Sequence, residues 1–410
     1  MRFTGTLKLE RLSKDYRLLE RRVLPMRSWT RGLIDILYES FASIQVPTTF
    51  AGPYDIDSTP RLMTQKADVS GARNWVSHGL VAAPPGFSTI AARGYAQDIY
   101  RVVNGCDVGI QVGTVNTAAT PTDRRLAHRI GHGTRAADGG DVTFESYDVN
   151  DDNNLTIITN DNTQKAQGFI PTHDFRCSSV ELKLWKTLAP AGPLTVEIRA
   201  PGLQIGTWNG PSTTVIATGT IASAALGASP GAFVACVFGT PVDLYAGHKY
   251  FIVCHSASVD GANYFNWRYD IAGTTYDRDP NFIAAQTGFL GSYCSTSDAW
   301  AANFSRTEGS CAMFRAIGRS IGEFEYGGCE VVHRVTADPN DAFDIRRFFY
   351  NRSGGVIAVA EVGLNAMFET YEGVQSKNLI TQIARDVVGP AVNVLNTEIL
   401  LVTYTPAIVV

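Results

Sequence analysis

Charge is scarce in this sequence: Asp, Glu, Lys and Arg make up 18% of 410 residues, against about 25% in an ordinary soluble protein. Long hydrophobic runs are missing too, and nothing approaches the roughly 18 consecutive apolar residues of a membrane span. Charged residues interrupt every apolar stretch up to Leu33, so no secretory h-region is legible. These absences predict a chain made in the cytoplasm, with no membrane insertion. The seven cysteines (Cys106, Cys177, Cys236, Cys254, Cys294, Cys311, Cys329) never fall in CxxC spacing. Zinc-knuckle and thioredoxin chemistry therefore lack their signature, and buried free thiols in strands are expected instead. No phosphate-binding loop, dinucleotide fingerprint or G-x-S-x-G elbow is present.

The composition that remains suits short strands and tight turns. Glycine numbers 38, and Thr, Val and Ala recur throughout, residues that fit pleated strands and turns better than long solvated helices. A surface so low in charge also fits a protein largely covered by neighbours in an assembly. The net charge of −4 carries no nucleic-acid signature, but its distribution is uneven. Residues 1–31 hold nine basic residues (Arg2, Lys8, Arg11, Lys14, Arg17, Arg21, Arg22, Arg27, Arg31) against three acids (Glu10, Asp15, Glu20), a net of +6. Such an arm can dock onto an acidic neighbour or onto packaged nucleic acid. Docking is favoured, because no aromatic or Gly-rich RNA motif accompanies the charges.

Along the chain, residues 10–24 read as a charged helix ended by Pro25. Apolar positions 33, 34, 37, 38 and 41 repeat at helical spacing behind Thr30 as N-cap. Residues 1–45 are thus expected to form a short helical basic arm. From there the pattern is strand and turn. Asp107–Thr114 alternates at period two, and the polar stretch Asp148–Asn154 reads as a linker. Residues 155–318 form a self-contained series of alternating strands, among them Val180-Glu181-Leu182-Lys183-Leu184-Trp185 and Leu194-Thr195-Val196-Glu197-Ile198-Arg199. Turn signals every 10–20 residues and no helix of length make this a sandwich pattern. Beyond Ser320 the earlier style resumes. Phe343–Tyr350 leads through Asn351-Arg352-Ser353-Gly354-Gly355 into Val356–Leu364 as an expected hairpin, and Glu398–Pro406 makes a closing strand. The expected fold is mainly β: a jelly-roll-like β-sandwich over 148–320 inserted into a second β domain split between 46–147 and 321–410. Exposed loop tips tolerate such insertions.

Two ordered sets of segments carry resemblances. The first comprises Gly109–Thr114, Pro121-Thr122-Asp123, Ile130-Gly131-His132-Gly133-Thr134, Phe349–Gly355, Glu361-Val362-Gly363-Leu364, Ala384-Arg385-Asp386-Val387 and Leu401–Thr405. This set, about 150 residues, resembles a family of tailed-phage virion structural proteins. The second comprises Ala166–Phe169, Val180–Leu184, Leu194–Arg199, Ile216–Thr220 and Val242–Tyr250. It is similar to the jelly-roll modules called choice-of-anchor domains, themselves similar to carbohydrate-binding modules. The large insert and the basic arm depart from the first family's pattern. Together the resemblances imply a virion component located in tail, baseplate, neck or capsid surface. Its partners would be copies of itself, other virion proteins and host-surface glycan.

Catalytic patterns are weak by comparison. Asp260, Asp270, Asp277, Asp279 and Asp298 sit in turn-like contexts where Asp caps backbone, and no spacing selects a glycosidase pair. His128 and His132 lie four apart, but Gly131 and Gly133 argue against the helix a zinc motif needs. Asp148, Asn150, Asp151 and Asp152 open like a calcium loop, yet Asn153 and Thr159 stand where glycine and glutamate are required. No catalytic residue, metal or cofactor is therefore assigned. The better lead for binding is aromatic. Tyr264-Phe265-Asn266-Trp267-Arg268-Tyr269-Asp270 alternates, so one face is core and the other could stack a sugar ring. Tyr264, Trp267, Arg268 and Tyr269, with Tyr276, Asp277, Tyr293 and Trp300 from following loops, form the candidate glycan or subunit platform. Arg11, Lys14, Arg17, Arg21, Arg22, Arg27 and Arg31 form the candidate assembly arm. The expected role is a non-enzymatic, homo-oligomeric virion component projecting a β-sandwich. A lectin-like adhesin is the alternative, and a polysaccharide-degrading enzyme a more distant one.

Overall fold

The structure, a computed structural model, describes residues 2–26, 29, 108–120, 125–137, 139–148, 153–157, 164–201, 211–246, 248–270, 290–294, 299–301, 311–334, 340–372 and 375–409. The expected helix around Leu33–Phe41 and the mixed stretch 44–95 lie outside them. The described chain is almost all strand, with no α-helix among the described residues. In chain order come β1 (Arg2–Leu12), β2 (Leu18–Pro25), β3 (Gly109–Gly113) and β4 (Gly131–His132). Next are β5 (Val142–Tyr147), β6 (Asn153–Ile157), β7 (Lys165–Phe169), β8 (Phe175–Thr187), β9 (Leu194–Pro201), β10 (Pro211–Ile221) and β11 (Ala232–Leu244). Then follow β12 (Tyr250–His255), β13 (Tyr264–Asp270), β14 (Leu290–Cys294), β15 (Ala299–Ala301), β16 (Cys311–Ala312) and β17 (Phe314–Arg319). The series ends with β18 (Glu323–Arg334), β19 (Asn340–Tyr350), β20 (Ile357–Glu372), β21 (Gln375–Val394) and β22 (Ile399–Val409).

Two compact units result, Met1–Ala137 with Ser320–Val410, and Asp138–Arg319. The second unit begins at 138 rather than 148 because β5 pairs antiparallel with β17, register Phe314↔Tyr147 to Gly318↔Val142. The stretch read as a linker is partly strand as well: Asn153 and Asn154 pair with Tyr269 and Arg268.

In the first unit a six-stranded sheet runs β2-β1-β22-β19-β18-β4, and a three-stranded sheet runs β21-β20-β3. Their apolar faces share one core. Leu7, Leu9, Ile345, Phe349, Leu400 and Val402 come from the larger sheet, and Ile110, Val112, Val359, Val362 and Val392 from the smaller. The helical arm expected for 1–45 is therefore corrected over its described part. Residues 2–25 are a β-hairpin whose first strand pairs with β22 from Arg2↔Val409 to Leu12↔Ile399. Period-two burial of Leu7 and Leu9 against that sheet decides for strand where the charged stretch 10–24 reads as helix. Ser13 organises the turn, its Oγ accepting from the Asp15 and Arg17 amides at 3.3 and 3.2 Å. The segment Phe343–Leu364 needs a second correction. β19 and β20 lie in different sheets, so Asn351–Gly355 turns the chain across the sandwich rather than closing a hairpin. Buried Asn351 holds that corner, donating to the Gly355 and Val394 carbonyls at 2.8 Å each and accepting from Ser353.

In the second unit one sheet runs β10-β9-β12-β7-β14-β15. The other is built on β8, with β11 along one side and β17 and β13 in succession along the other. The two sheets enclose a core that includes Phe169, Val180, Leu182, Leu184, Val196, Ile198, Ile252, Phe265, Trp267 and Phe314. Cys177, Cys236, Cys254, Cys311 and Cys329 are free and buried. Burial pushes the Cys177 thiol up to about 12 and Cys236 to about 11. Because the thiolate is the nucleophile, these five should stay unmodified when the native protein meets an aromatic disulfide reagent at pH 8. All seven thiols of the chain should react in denaturant. Rapid modification of Cys177 or Cys236 in the native protein would contradict this packing.

Candidate functional site

The aromatic platform is the first candidate to place. Phe265, Trp267 and Tyr269 all belong to the core of the inserted unit, and Trp267 is fully buried. Two residues of the opposite face of β13 are buried as well, with Asn266 2% and Asp270 0% exposed. Both are held by hydrogen bonds: Asn266 Nδ2 donates to Thr187 Oγ1 at 3.2 Å. The Trp267 indole N–H donates to the Met313 carbonyl at 2.8 Å, and the Tyr147 hydroxyl donates to Asp270 at 2.5 Å. Trp267 and Tyr269 are therefore corrected from ligand platform to core, while Tyr264 and Arg268 are half-buried. Tyr293 and Trp300 are backbone register partners on β14 and β15, which belong to the other sheet. Tyr276 and Asp277 lie outside the described residues.

The basic arm comes out differently from its sequence. Arg21 holds Glu10 through Nε and Nη2 at 2.8 and 2.7 Å, and Lys8 reaches the same carboxylate at 3.1 Å. Burial raises the Glu10 carboxyl, but the hydrogen bonds from Lys8 and Arg21 outweigh it and hold the group below its ordinary value. Arg22 pairs with Glu20 at 2.6 Å and donates to the Pro390 carbonyl, and Arg11 meets Glu398 at 3.4 Å. Lys14 and Arg17 sit exposed in the turn, and Arg27 and Arg31 lie outside the described residues. Much of the arm's positive charge is thus already matched within its own unit.

Beside that hairpin lies a surface that sequence reasoning missed. Tyr16, 58% exposed at the hairpin tip, meets Phe348 edge-on at 6.2 Å, and Phe348 stacks with Tyr350 at 6.3 Å. Arg352 lies over the Tyr350 ring at 5.8 Å and pairs with Glu325 at 2.7 Å. Burial and the hydrogen bond that Tyr350 donates to Tyr16 push the Tyr350 hydroxyl up to about 12. Phe348 and Tyr350 alternate with core residues Ile345, Arg347 and Phe349, so they face away from the core. Alternation alone could have exposed that pair. Tyr16 could not be found, since its place depends on the hairpin turn.

The segments Gly109–Thr114, Glu361–Leu364 and Ala384–Val387 meet around a buried ion pair. Arg385, 3% exposed at its side chain, binds fully buried Glu361 through Nη2 at 2.8 Å and Nε at 2.9 Å. Glu361 also accepts from the His128 and Ala127 amides at 2.9 and 3.2 Å, and Arg385 donates to Thr117 Oγ1 at 3.0 Å. Gly113 makes room for the carboxylate: a Cβ there would fall 2.3 Å from Glu361 Oε1. Nearby, the Tyr404 hydroxyl lies 3.1 Å from the Val362 carbonyl and 3.2 Å from Asp386. These polar residues are the internal framework of the first sandwich. His132 accepts the Tyr326 amide on Nδ1 at 3.0 Å, and Asp148 pairs with Arg315 at 3.1 Å. Among the described residues no group of His, Cys, Asp or Glu could hold a metal ion.

On the inserted unit, Ala166, Phe251 and Val253 form a small buried cluster apart from the main core. It is flanked by Lys249, whose Nζ lies 5.2 Å from the Phe251 ring centre and whose ammonium burial brings down to about 8. Glu197 binds Arg199 at 2.6 Å and lies 3.5 Å from His255. No family model matches the chain, and no curated protein does either.

Proposed function

We propose that this chain is a non-enzymatic structural component of a tailed-phage virion, assembling as a homo-oligomer through its first unit and carrying the inserted sandwich as an added module. The observation that best supports this reading is the outward face of the six-stranded sheet. There Tyr16, Phe348 and Tyr350 line up beside Arg352, with exposed Leu18, Leu19 and Val23 on β2 at the end of the same sheet. Aromatic residues and arginine are the side chains enriched at protein interfaces and at their hot spots. A nucleic-acid arm would instead keep its cations available for phosphate, whereas Arg11, Arg21 and Arg22 are engaged with Glu398, Glu10 and Glu20. The virion assignment itself rests on the resemblance of the segments around Glu361 and Arg385. Contacts of the inserted sandwich, to neighbouring subunits or host-surface glycan, fall on surfaces other than β13. Among the described residues no helix is long and apolar enough to cross a membrane.

The test joins light scattering of the purified protein to antibody labelling of particles in electron micrographs. A defined oligomer and labels at repeated positions on the particle are expected. Phe348→Ser with Tyr350→Ser should weaken self-association by at least about tenfold, the scale of a lost hot spot. A stable monomer that neither assembles nor joins particles overturns the proposal.

A further inference from the structure

β2 closes one side of the six-stranded sheet: β1 pairs with it on one edge, and among the described residues no strand pairs on the other. An open edge offers a row of backbone donors and acceptors to any passing strand, and proteins commonly blunt it with charge. Glu20, Arg21 and Arg22 stand in the middle of β2 and would repel most partners. Around them Leu18, Leu19 and Val23 are 49%, 48% and 59% exposed, an apolar content unusual for an edge left to solvent.

The order of these residues is complementary to itself. If β2 runs antiparallel to a second copy about Arg21, then Glu20 faces Arg22 of the second copy. Leu19 then faces its Val23 on the outward side of the joined sheet, while Leu18 lies beyond the bulge at Leu19 and stands outside the match. Arg21 meets its own counterpart, but each is already bound to its own Glu10 at 2.7 Å, which offsets the like charges at the centre. Other registers lose this match. A slip of one residue sets residues of opposite faces against each other, which would turn one copy's core face outward. A slip of two sets Glu20 against Glu20, or Arg22 against Arg22. Opposite charges and apolar pairs across antiparallel strands stabilise a register, and like charges directly opposed destabilise it. Charges that exclude foreign strands would thereby select this one.

We infer that β2 is a self-recognition edge, pairing antiparallel about Arg21 with β2 of a second copy to join two six-stranded sheets into one. Both outward faces would then be continuous, since Arg21, Glu10, Leu401 and Phe348 are successive register partners across the sheet. One short strand pair is far below a standard interface of about 1,200–2,000 Å². The contact is therefore weak by itself and gains strength by repetition in an assembly. The inference rests on the homo-oligomer reading and names its partner and register.

Cysteine cross-linking of the full chain tests it, because opposed residues of antiparallel strands lie about 4.5–5.5 Å apart at Cα, within disulfide reach. Under mild oxidation Arg21→Cys should link to itself. Leu19→Cys and Val23→Cys should each fail alone but link when mixed, with the junctions read by mass spectrometry. In the Arg21→Cys background, Glu20→Arg should lower the yield about tenfold, and adding Arg22→Glu should restore it. Absence of the 21–21 and 19–23 junctions overturns the inference, as does self-linking of Leu19→Cys as strong as the mixed reaction. Particle association separates the two proposals. Assembly without these junctions sinks the edge and spares the structural role. Junctions in a protein that never joins particles spare the edge and sink the virion role.

Discussion

Replacing Arg385 with Met is expected to cost the first unit about 3–5 kcal/mol, the usual penalty for leaving one partner of a buried ion pair alone. Glu361 is fully buried and would keep only the His128 and Ala127 amides as donors. Water cannot make up the difference without opening the β3–β20–β21 sheet. At about 2–4 °C per kcal/mol for a unit of this size, the melting midpoint should fall on the order of 10 °C. The double variant Glu361→Gln with Arg385→Met separates the worth of the pair from the penalty of orphaning a charge. Exchanging a buried pair for neutral groups is often nearly neutral, so the double variant should recover more than half the loss. Differential scanning calorimetry checks both. A loss below about 1 kcal/mol in Arg385→Met would mean that the carboxylate is hydrated, contrary to its burial.

The strands legible in the sequence are those with one face to the core and one to solvent. Val180–Trp185 and Leu194–Arg199 alternate in sequence, and β8 and β9 alternate in burial for the same reason. Where that condition fails, the pattern misleads. β13 alternates as cleanly, but Asn266 and Asp270 on its second face are as hidden as Trp267. Period two says which residues share a face, and it is silent on whether a second layer covers that face. The arm misled differently: the charged stretch 10–24 reads as a helix, and the choice of strand was made by β22, almost four hundred residues along the chain.

Turn chemistry was ambiguous in the same way. Asn and Gly at 351–355 supply a tight reversal, with Gly354 at φ +84°, but the same residues serve a corner between sheets. Of the candidate surface, Phe348 and Tyr350 were visible as alternating positions, whereas their neighbour Tyr16 arrives by tertiary packing alone. The segments around Glu361 and Arg385 were legible as an ordered set without their purpose. Gly113, Glu361 and Arg385 come together only after β20 has paired with both β3 and β21.

Trp267→Ala should destabilise the inserted sandwich by about 3–5 kcal/mol, the range for removing a large aromatic from a packed interior. Three losses coincide. The ring leaves a cavity among residues fixed by strand pairing on both sides of β13, where the walls cannot collapse freely. Its N–H bond to Met313 at 2.8 Å disappears. That bond also pins the chain between β16 and β17, where the Met313 amide donates to the Arg268 carbonyl at 2.9 Å. Trp267→Phe refills much of the space and restores no donor, so it should lose less than Trp267→Ala, with the remainder set by the missing bond and the smaller ring. Urea unfolding monitored in the inserted unit checks the order of the three proteins. Because Trp267 is interior, any glycan binding abolished by Trp267→Ala should vanish in parallel with folding and survive in Trp267→Phe. A Trp267→Ala protein that unfolds at the wild-type midpoint while losing a glycan would place the indole at the surface. That result would return β13 to the role its alternation first suggested.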